Sequence, residues 1–473
     1  MYELFSKAIE TTSDVLYSYL LIILLLAVGL YFTFRTKFVQ FRLLGESIRL
    51  VTERSEGKHS VSPFQALMVS TASRVGTGNI VGVANAIAIG GYGSVFWMWI
   101  IALVGGASAF MESTLAQIYK KSDGNGGSYG GPAYYIEAAL KKRWLGVVFA
   151  IALVATYAVG FNMLCSYNLV TSLSQYDFYG DPATSKVPLI CGAILAILVA
   201  ICVLGGGKRI VKVTSFLVPV MGVTYILMAL VAMVLNYANL PMVFREIFAG
   251  AFDFRAIFGG FAGSALMHGI KRGLYSNEAG VGSAPNAAAA ANVTHPVKQG
   301  LVQMLSVFID TLLICTATAM MCLSSGIVPS KSLSGAPFVQ TALSANFGDF
   351  GFYFITVSLL LFAFTTLLGN LFYCEGCLNY IAGKTLNIRA IKAFNLFACV
   401  IVFLGALLDF GLVWNLADVL MGIMALINLP VIVMLSRPAM AALKDYVRQR
   451  KAGQDPVFKA AHIHLKEKTD FWN

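Results

Sequence analysis

The residues best suited to bind a ligand lie where an apolar stretch of the sequence is interrupted. The stretch at about 64–89 contains the run RVGTGN at 74–79 in its middle. Unwinding there frees backbone N–H groups at the start of a half-helix, where the positive end of the helix dipole favours a carboxylate. The carbonyls freed just before it, around Ala72 and Val75, are hard oxygen ligands suited to a small cation.

Two adjacent threonines supply further oxygen atoms of the same kind. Thr365 and Thr366 lie in an apolar stretch at about 351–371, and their hydroxyls would complete a cation shell begun by the freed carbonyls. The alternative is that both hydroxyls bond back to carbonyls of their own helix, as threonine often does.

Ionisable side chains inside apolar stretches form a second group of candidates. Arg74, Glu112, Asp310 and Glu375 lie within such stretches, with Glu278 near the end of another. Each costs at least ~2.5 kcal/mol to place in a bilayer and usually marks a function or a charge partner. Arg74 either attracts an anionic ligand or closes a cytoplasmic gate by pairing with an acid such as Glu375. A fixed structural ion pair is the competing interpretation.

These residues need a membrane-spanning scaffold to position them. Of 473 residues, 58% are hydrophobic and 12% are charged, against about 25% charged in soluble proteins. Apolar runs long enough to span a bilayer predict an all-α polytopic membrane protein with eleven transmembrane helices. The predicted spans are 17–34, 64–89, 94–118, 145–172, 187–205, 213–235, 256–283, 299–325, 351–371, 393–409 and 412–435.

The basic residues predict the orientation. Alternate connecting segments and the tail hold 28 of the 34 lysines and arginines, so by the positive-inside rule the amino terminus is outside and the carboxy terminus cytoplasmic. Topology therefore accounts for the net charge of +11 without a nucleic-acid partner. We expect the basic tail at 437–473 to lie along anionic headgroups.

Paired interruptions predict an internal repeat. The second span is broken at the run described above, and the seventh carries five glycines: Gly259, Gly260, Gly263, Gly269 and Gly273. Spans 2–6 and 7–11 thus form two sets that begin from opposite sides with a broken helix, the pattern of an inverted repeat with its binding sites at the midplane. The predicted units are 1–62 (extra first span and basic segment), 63–250, 251–436 and 437–473.

Two other classes of membrane protein are disfavoured. A channel would need a continuous pore lined by repeated polar rings, whereas this sequence has isolated breaks. An enzyme would need a nucleophile–base pair or a metal cluster at bilayer depth, and His268 lacks any partner motif.

Three stretches resemble one known family. Residues Pro63–Gly105, Arg272–Ala291 and His295–Ser325 resemble the alanine or glycine:sodium symporter family, within the amino acid–polyamine–organocation superfamily. The resemblance covers nearly the whole chain. It implies a leucine-transporter-type fold, a five-plus-five inverted repeat with one additional amino-terminal helix. It also implies sodium-coupled uptake of a neutral amino acid across the inner membrane, by a functional monomer without an organic cofactor.

The same resemblance implies roles for individual residues. Thr77 and Gly78 would hold the substrate carboxylate, Gly269 would lie near the substrate, and Asn79 near the substrate or a second ion position. By similarity to other transporters of this fold, the sodium ligands would be Ala72, Val75, Thr365 and Thr366.

The sequence departs from the family pattern at two positions. Alanine transporters tend to carry glutamine where this chain has Cys165, and tryptophan where it has Asn370. Both changes enlarge the pocket and the second adds an amide, so glutamine is an alternative to alanine or glycine. Proton coupling through Glu375 is an alternative to sodium coupling.

Overall fold

A computed structural model of the protein describes residues 2–53, 61–124, 126–181, 184–252, 264–330, 332–408 and 410–472. Nearly all of the regular structure is helical. The helices of the first half are α1 Tyr2–Val15, α2 Leu21–Arg35, α3 Val39–Arg42, α4 Leu44–Val51, α5 Pro63–Arg74, α6 Val83–Gly90, α7 Gly93–Ile118, α8 Pro132–Leu140, α9 Arg143–Val154, α10 Phe161–Ser172, α11 Val187–Val203, α12 Gly207–Leu235 and α13 Leu240–Ala251.

The second half continues in the same way. Its helices are α14 Ala265–Asn277, α15 Pro285–Ala290, α16 Pro296–Val307, α17 Thr316–Ser324, α18 Gly335–Phe347, α19 Asp349–Ala382, α20 Ile388–Gly405, α21 Phe410–Met434 and α22 Ser436–Lys451. Wider π-helical turns lie at Leu16–Leu20, Gly78–Gly82, Ala155–Gly160 and Phe308–Cys315, and 3₁₀ turns at Asp177–Tyr179, Tyr237–Asn239 and Ala460–Ile463. Strands Lys121–Ser122 (β1) and Ser128–Tyr129 (β2) form an antiparallel hairpin.

Eight helical segments in the described part of the chain are long and apolar enough to cross a membrane. They are Phe5–Arg35, Gly93–Ile118, Arg143–Ser172, Gly207–Leu235, Pro296–Ser324, Asp349–Ala382, Ile388–Gly405 and Gly411–Met434. Two shorter apolar helices are Gly78–Gly90 and Val187–Val203. The chain is therefore a polytopic α-helical membrane protein, and the first of these helical segments extends back to Phe5, before the predicted residue 17.

The second predicted span is interrupted where the sequence indicates. Ser62 and Gln65 form a reciprocal capping box at the start of α5, with Pro63 as the first helical residue. The helix ends at Arg74, Val75 leaves the helical conformation (ψ 83°), and a wide turn resumes at Gly78. The predicted break is confirmed.

The seventh predicted span, 256–283, is described from Ser264 onwards. Helix α14 runs unbroken through Gly269 and Gly273, so these two glycines do not break the span; Gly259, Gly260 and Gly263, where the break was also predicted, lie outside the described residues. The helix ends before Glu278 (φ 52°), the chain passes Gly280 and Gly282 at φ 83° and 92°, and the short helix α15 begins at Pro285, beyond the predicted span. Positive φ suits glycine, and proline suits the first helical turn.

The glycines of α14 serve close packing instead. A Cβ atom on Gly269 would lie 2.4 Å from the carbonyl oxygen of Ser94, and one on Gly273 would lie 2.5 Å from Ile101 Cγ2. Small residues let membrane helices approach closely, and these two bring α14 against α7.

The carboxy-terminal tail, which was expected to lie along headgroups, packs on the protein through two aromatic side chains. The side chains of Phe458 and Trp472 are 3% and 6% exposed, and their rings meet edge to face at 5.5 Å. Trp472 Nε1 donates to the carbonyl of Gln117 (2.8 Å), and Asp470 pairs with Lys121 at 2.8 Å. The tail thereby contacts the carboxy-terminal end of α7.

Helix α22 is held by a carboxylate of α4. Tyr446 Oη donates to Glu46 at 2.5 Å, and Arg450 also bonds to Glu46. Burial raises the pKa of Glu46, but hydrogen bonds from Arg49 and Tyr446 and the charge of Arg450 bring it down to about 2. A carboxyl group whose pKa is lowered by folding stabilises the folded state at any pH above its ordinary pKa. The contribution of Glu46 is therefore present at neutral pH and is lost as the pH falls from about 4.5 towards 2.

We predict that Trp472→Ala lowers the melting temperature of the purified protein in detergent by several degrees. Truncating a buried aromatic side chain costs about 3–5 kcal/mol, and the tail would lose its anchor on α7. Trp144→Ala is the matched control, because Trp144 is 65% exposed. Equal melting of both variants and the parent would show that the tail does not contribute to the fold.

Candidate functional site

The break in the second span is held open by the side chain of Asn79. In a continuing α-helix, the carbonyl of Ala72 would receive the amide of Gly76, and the carbonyl of Val75 that of Asn79. Here Gly76 N donates to Asn79 Oδ1 (2.9 Å) and Asn79 N donates to the Gly76 carbonyl (3.1 Å). The carbonyls of Ala72 and Val75 thus lose their helical donors.

Asn79 is in turn anchored on other helices. Its Nδ2 donates to Asp310 Oδ1 (2.6 Å) and to Ser276 Oγ (3.0 Å), and its carbonyl accepts from Thr318 Oγ1 (2.7 Å). Asp310 also accepts from Ser276 and from Thr311. Asn79 and the buried carboxylate of Asp310 therefore fix the broken span against α14 and the turn Phe308–Cys315.

Thr77 faces helix α10. Its hydroxyl oxygen accepts from Asn168 Nδ2 (2.9 Å), and the hydroxyl lies 3.9 Å from Cys165 Sγ. The structure thus brings together Thr77 and Cys165, both sequence-predicted. Asn168 was missed, although its position three residues after Cys165 places it on an adjoining face of the same helix.

Gly78 lies under an aromatic cover. A Cβ atom on Gly78 would be 2.2 Å from Tyr275 Cε1. The Tyr275 ring packs on Phe161 and Trp414, with centroid distances of 4.9 and 5.3 Å. Only a glycine allows the backbone to approach this ring so closely.

The two candidate threonines differ in their hydrogen bonding. Thr366 Oγ1 would be 2.3 Å from a Cβ on Gly76, and this buried hydroxyl has no hydrogen-bond partner among the described residues. Thr365 donates to the Leu361 carbonyl (2.9 Å) of its own helix, the alternative considered from the sequence. An oxygen that donates its proton still keeps lone pairs for a cation.

Asn370 also lies at the break, but both halves of its amide are engaged. Ser73 Oγ donates to Asn370 Oδ1 (2.7 Å), and Asn370 Nδ2 donates to Asn162 Oδ1 (3.0 Å). Gly269 is placed elsewhere, against Ser94 and Trp97.

Arg74 and Glu375 do not pair in this structure. Arg74 is buried and donates to Ser306 Oγ and to the Gln303 carbonyl. Glu375 accepts from Tyr129 Oη (3.4 Å) and lines a cavity of about 690 Å³. Arg74 and Glu375 therefore have separate hydrogen-bond partners.

The loop that follows α14 is also held by buried side chains. Glu112 accepts from the Gly280 amide (3.3 Å) and from Asn428 Nδ2 (2.8 Å), and that Nδ2 also donates to the Gly280 carbonyl (3.0 Å). Glu278 accepts from Ser283 Oγ (2.6 Å). The break in the second span and the loop after α14 are thus each stabilised by a buried amide and a carboxylate.

Interrupted helices inside a bundle of apolar spans are the arrangement found in many secondary transporters. The fold agrees: the structure of MhsT in complex with L-phenylalanine superimposes with a TM-score of 0.61 at 14% identity, covering 83% of this chain and 93% of that one. The chain therefore shares its fold with that protein.

The chain belongs to the sodium:alanine symporter family, whose model matches residues 2–460. It is 45% identical to the "Probable sodium/glutamine symporter GlnT" of Bacillus subtilis, over 97% of this chain and 94% of that one. It is also 45% identical to the "Amino-acid carrier protein AlsT" of the same organism, over 100% and 98%. The family is one of sodium-coupled amino-acid symporters, and the predicted resemblance is confirmed.

We predict that Gly78→Ala reduces amino-acid uptake to background, because the added methyl group would collide with a ring that is itself packed on two others. Gly45→Ala is the matched control, since a Cβ there meets nothing within 4 Å. Uptake should be measured in cells with protein amount and monodispersity checked for both variants. Normal uptake by the Gly78→Ala variant would show that Gly78 is not part of the substrate site.

Proposed function

We propose that the protein imports a neutral amino acid across the inner membrane together with sodium, using the break at Val75–Thr77 as the shared site. The observation that carries the proposal is the diversion of the Gly76 and Asn79 amides. It frees two carbonyls beside the unpartnered hydroxyl of Thr366. Oxygen ligands without competing donors are what a hard cation requires.

In this proposal the cation and the substrate share the break. Ala72 and Val75 carbonyls with Thr365 and Thr366 hydroxyls bind sodium. Thr77 and Gly78 stand at the start of the resumed helix, where the first amides have no carbonyl partner within it, and bind the substrate carboxylate. Asn79 positions both sites by holding the break open. Gly269, on α14, remains a predicted neighbour of the substrate.

The architecture we propose has eleven spans arranged as two inverted five-helix sets after one extra helix. The amino terminus lies outside and the carboxy terminus in the cytoplasm, as the lysines and arginines predict. The protein acts as a monomer. The Glu375 cavity then lies on the cytoplasmic side, where Arg74 and Glu375 would act as gate residues.

The resemblance to the family favours alanine or glycine as the substrate, and glutamine is the second candidate. Cys165 lies beside Thr77, where a smaller residue leaves room for a longer side chain. The similarity to a protein named a probable sodium/glutamine symporter favours the same candidate.

Uptake into proteoliposomes tests the coupling. A sodium gradient imposed alone should drive accumulation of labelled amino acid, and a pH gradient imposed alone should not. Glu375, the carboxylate that proton coupling would use, bonds to Tyr129 and is not among the contacts of the break. Accumulation driven by the pH gradient alone would favour proton coupling, and downhill flux without coupling would favour a channel.

We predict that Thr365→Val with Thr366→Val raises the sodium concentration for half-maximal uptake at least tenfold, because two hard ligands are deleted at nearly constant volume. Thr366→Val alone should account for most of the change, since the Thr366 hydroxyl has no other hydrogen bond to a described residue. Thr341→Val is the control, because its hydroxyl bonds to Pro337 of its own helix. An unchanged sodium dependence in the double variant would refute the ligand assignment.

A further inference from the structure

A second cavity, separate from the break in the second span, is lined mainly by cationic side chains. Its volume is about 880 Å³, and its walls come from the β1–β2 hairpin, the junction of α8 and α9, the end of α19 and the carboxy-terminal tail. Two of its lining residues are acidic, Glu137 and Glu467. Six are basic: Lys121, Lys141, Arg143, Lys384, Lys466 and Lys468. This basic cavity therefore has an excess of four positive charges (six minus two).

Protein carboxylates neutralise only part of this charge. Lys121 pairs with Asp470 at 2.8 Å, and Arg143 pairs with Glu137 at 3.4 Å. Three basic side chains of the cavity form no ion pair with any described residue; they are Lys384, Lys466 and Lys468. Isolated surface lysines are common, but these three come from two distant parts of the chain and line one cavity. Like charges gathered in this way repel each other, and an anionic ligand would relieve the repulsion.

The walls that carry these lysines are fixed by contacts within the protein. Arg143 joins the start of α9 to the end of α19, because its Nη2 donates to the Tyr380 carbonyl (3.4 Å) and its guanidinium lies over the Tyr380 ring at 5.4 Å. The tail is held by Trp472, whose Nε1 donates to the Gln117 carbonyl (2.8 Å). The cavity is thus part of the folded structure and does not need a ligand to form it.

The basic cavity lies where two membrane spans begin. Helix α9 starts at Arg143, and its Trp144 and Ile151 side chains are 65% and 54% exposed. Residues seven apart share one face of a helix, so this exposed apolar face of a spanning helix contacts acyl chains. Helix α20 starts four residues after Lys384, at Ile388, which is 68% exposed. Exposed tryptophan is typical of the membrane–water interface, so we place the cavity at the depth of the lipid headgroups.

We propose that the basic cavity binds the phosphate group of an anionic phospholipid in the cytoplasmic leaflet of the proposed topology, with Lys384 and Lys466 contacting the phosphate. Lysine binds phosphate as a point charge, and basic pockets at the membrane surface suit anionic headgroups. A soluble phosphate compound offers the same charge, but only a lipid would also use the adjoining apolar face of α9. Such a headgroup would connect the tail to α19, the helix that carries Thr365 and Thr366. The inference goes beyond the proposed function and does not depend on which amino acid is imported.

The test is a titration of the purified protein in detergent with dioleoylphosphatidylglycerol, followed by the shift in melting temperature. We expect this anionic lipid to raise the melting temperature, because it would join two walls of the cavity. Dioleoylphosphatidylcholine, which has the same acyl chains and no net charge, should give a much smaller shift. Glycerol 3-phosphate, the soluble phosphate arm of the test, should leave the melting temperature unchanged over the same concentrations.

Substitutions assign the binding to the cavity. Lys384→Ala with Lys466→Ala should raise the Kd for dioleoylphosphatidylglycerol at least tenfold. The lipid-free melting temperature should stay near that of the parent, since both side chains are exposed and unpaired among the described residues. Lys142→Ala with Lys212→Ala is the matched control, because it removes two exposed charges that do not line the cavity. Lys384→Arg with Lys466→Arg keeps the charge and should keep the binding.

Three results would overturn the inference. Equal shifts with the two lipids would show that the phosphate charge is not recognised. Equal weakening by the cavity pair and the control pair of substitutions would show only general attraction between a basic surface and an anionic lipid. Stabilisation by glycerol 3-phosphate as strong as that by the lipid, and lost in the Lys384→Ala and Lys466→Ala protein, would assign the cavity to a soluble phosphate compound. None of these results bears on sodium-driven uptake, which tests the proposed function separately.

Discussion

The hydrogen bond from the Gly76 amide to the Asn79 side chain is the interaction on which the rest of the site depends. A backbone group left without a partner away from water costs roughly 2–7 kcal/mol, so a spanning helix breaks only where something replaces its ladder. Asn79 Oδ1 accepts a hydrogen bond from the Gly76 amide, which would otherwise have continued the helix. Asn79 Nδ2 donates to Asp310 and so connects the break to another helix. The carbonyls of Ala72 and Val75 are freed as a direct consequence.

The loop after α14 follows the same physical rule with different residues. Asn428 and Glu112 bond to the backbone of Gly280. At both places an amide side chain bonds to the backbone and a buried carboxylate bonds to the amide. Because the carboxylates come from other helices, a change of shape at either place is coupled to movement of neighbouring helices. That property suits a protein whose site must open alternately to two sides.

The sequence predicted the break in the second span, where the glycines flank a threonine and an asparagine whose side chains can replace a helix ladder. In the seventh span, Gly269 and Gly273 looked equivalent but allow close packing against α7. The end of α14 has its own local signal, Glu278 followed by Gly280, Gly282 and Pro285, since glycine suits positive φ and proline suits the start of a helix.

Other parts of the site depend on tertiary contacts that no local pattern reveals. Cys165 was found because it departs from a family pattern, whereas Asn168 on the same helix was missed. In the structure, Ser73 and Asn162 engage both ends of the Asn370 amide. The tail is basic and was therefore expected along the headgroups, but its aromatic residues Phe458 and Trp472 pack on the protein.

The central claim is that one break in the second span binds both the cation and the amino acid. Calorimetric titration of purified protein with amino acid, in sodium chloride and in potassium chloride, tests it most directly. The account predicts an amino-acid affinity that rises with sodium concentration, and a sodium affinity raised by the same factor when amino acid is present, because binding linkage is reciprocal. Equal amino-acid affinity in the two salts would contradict a shared site.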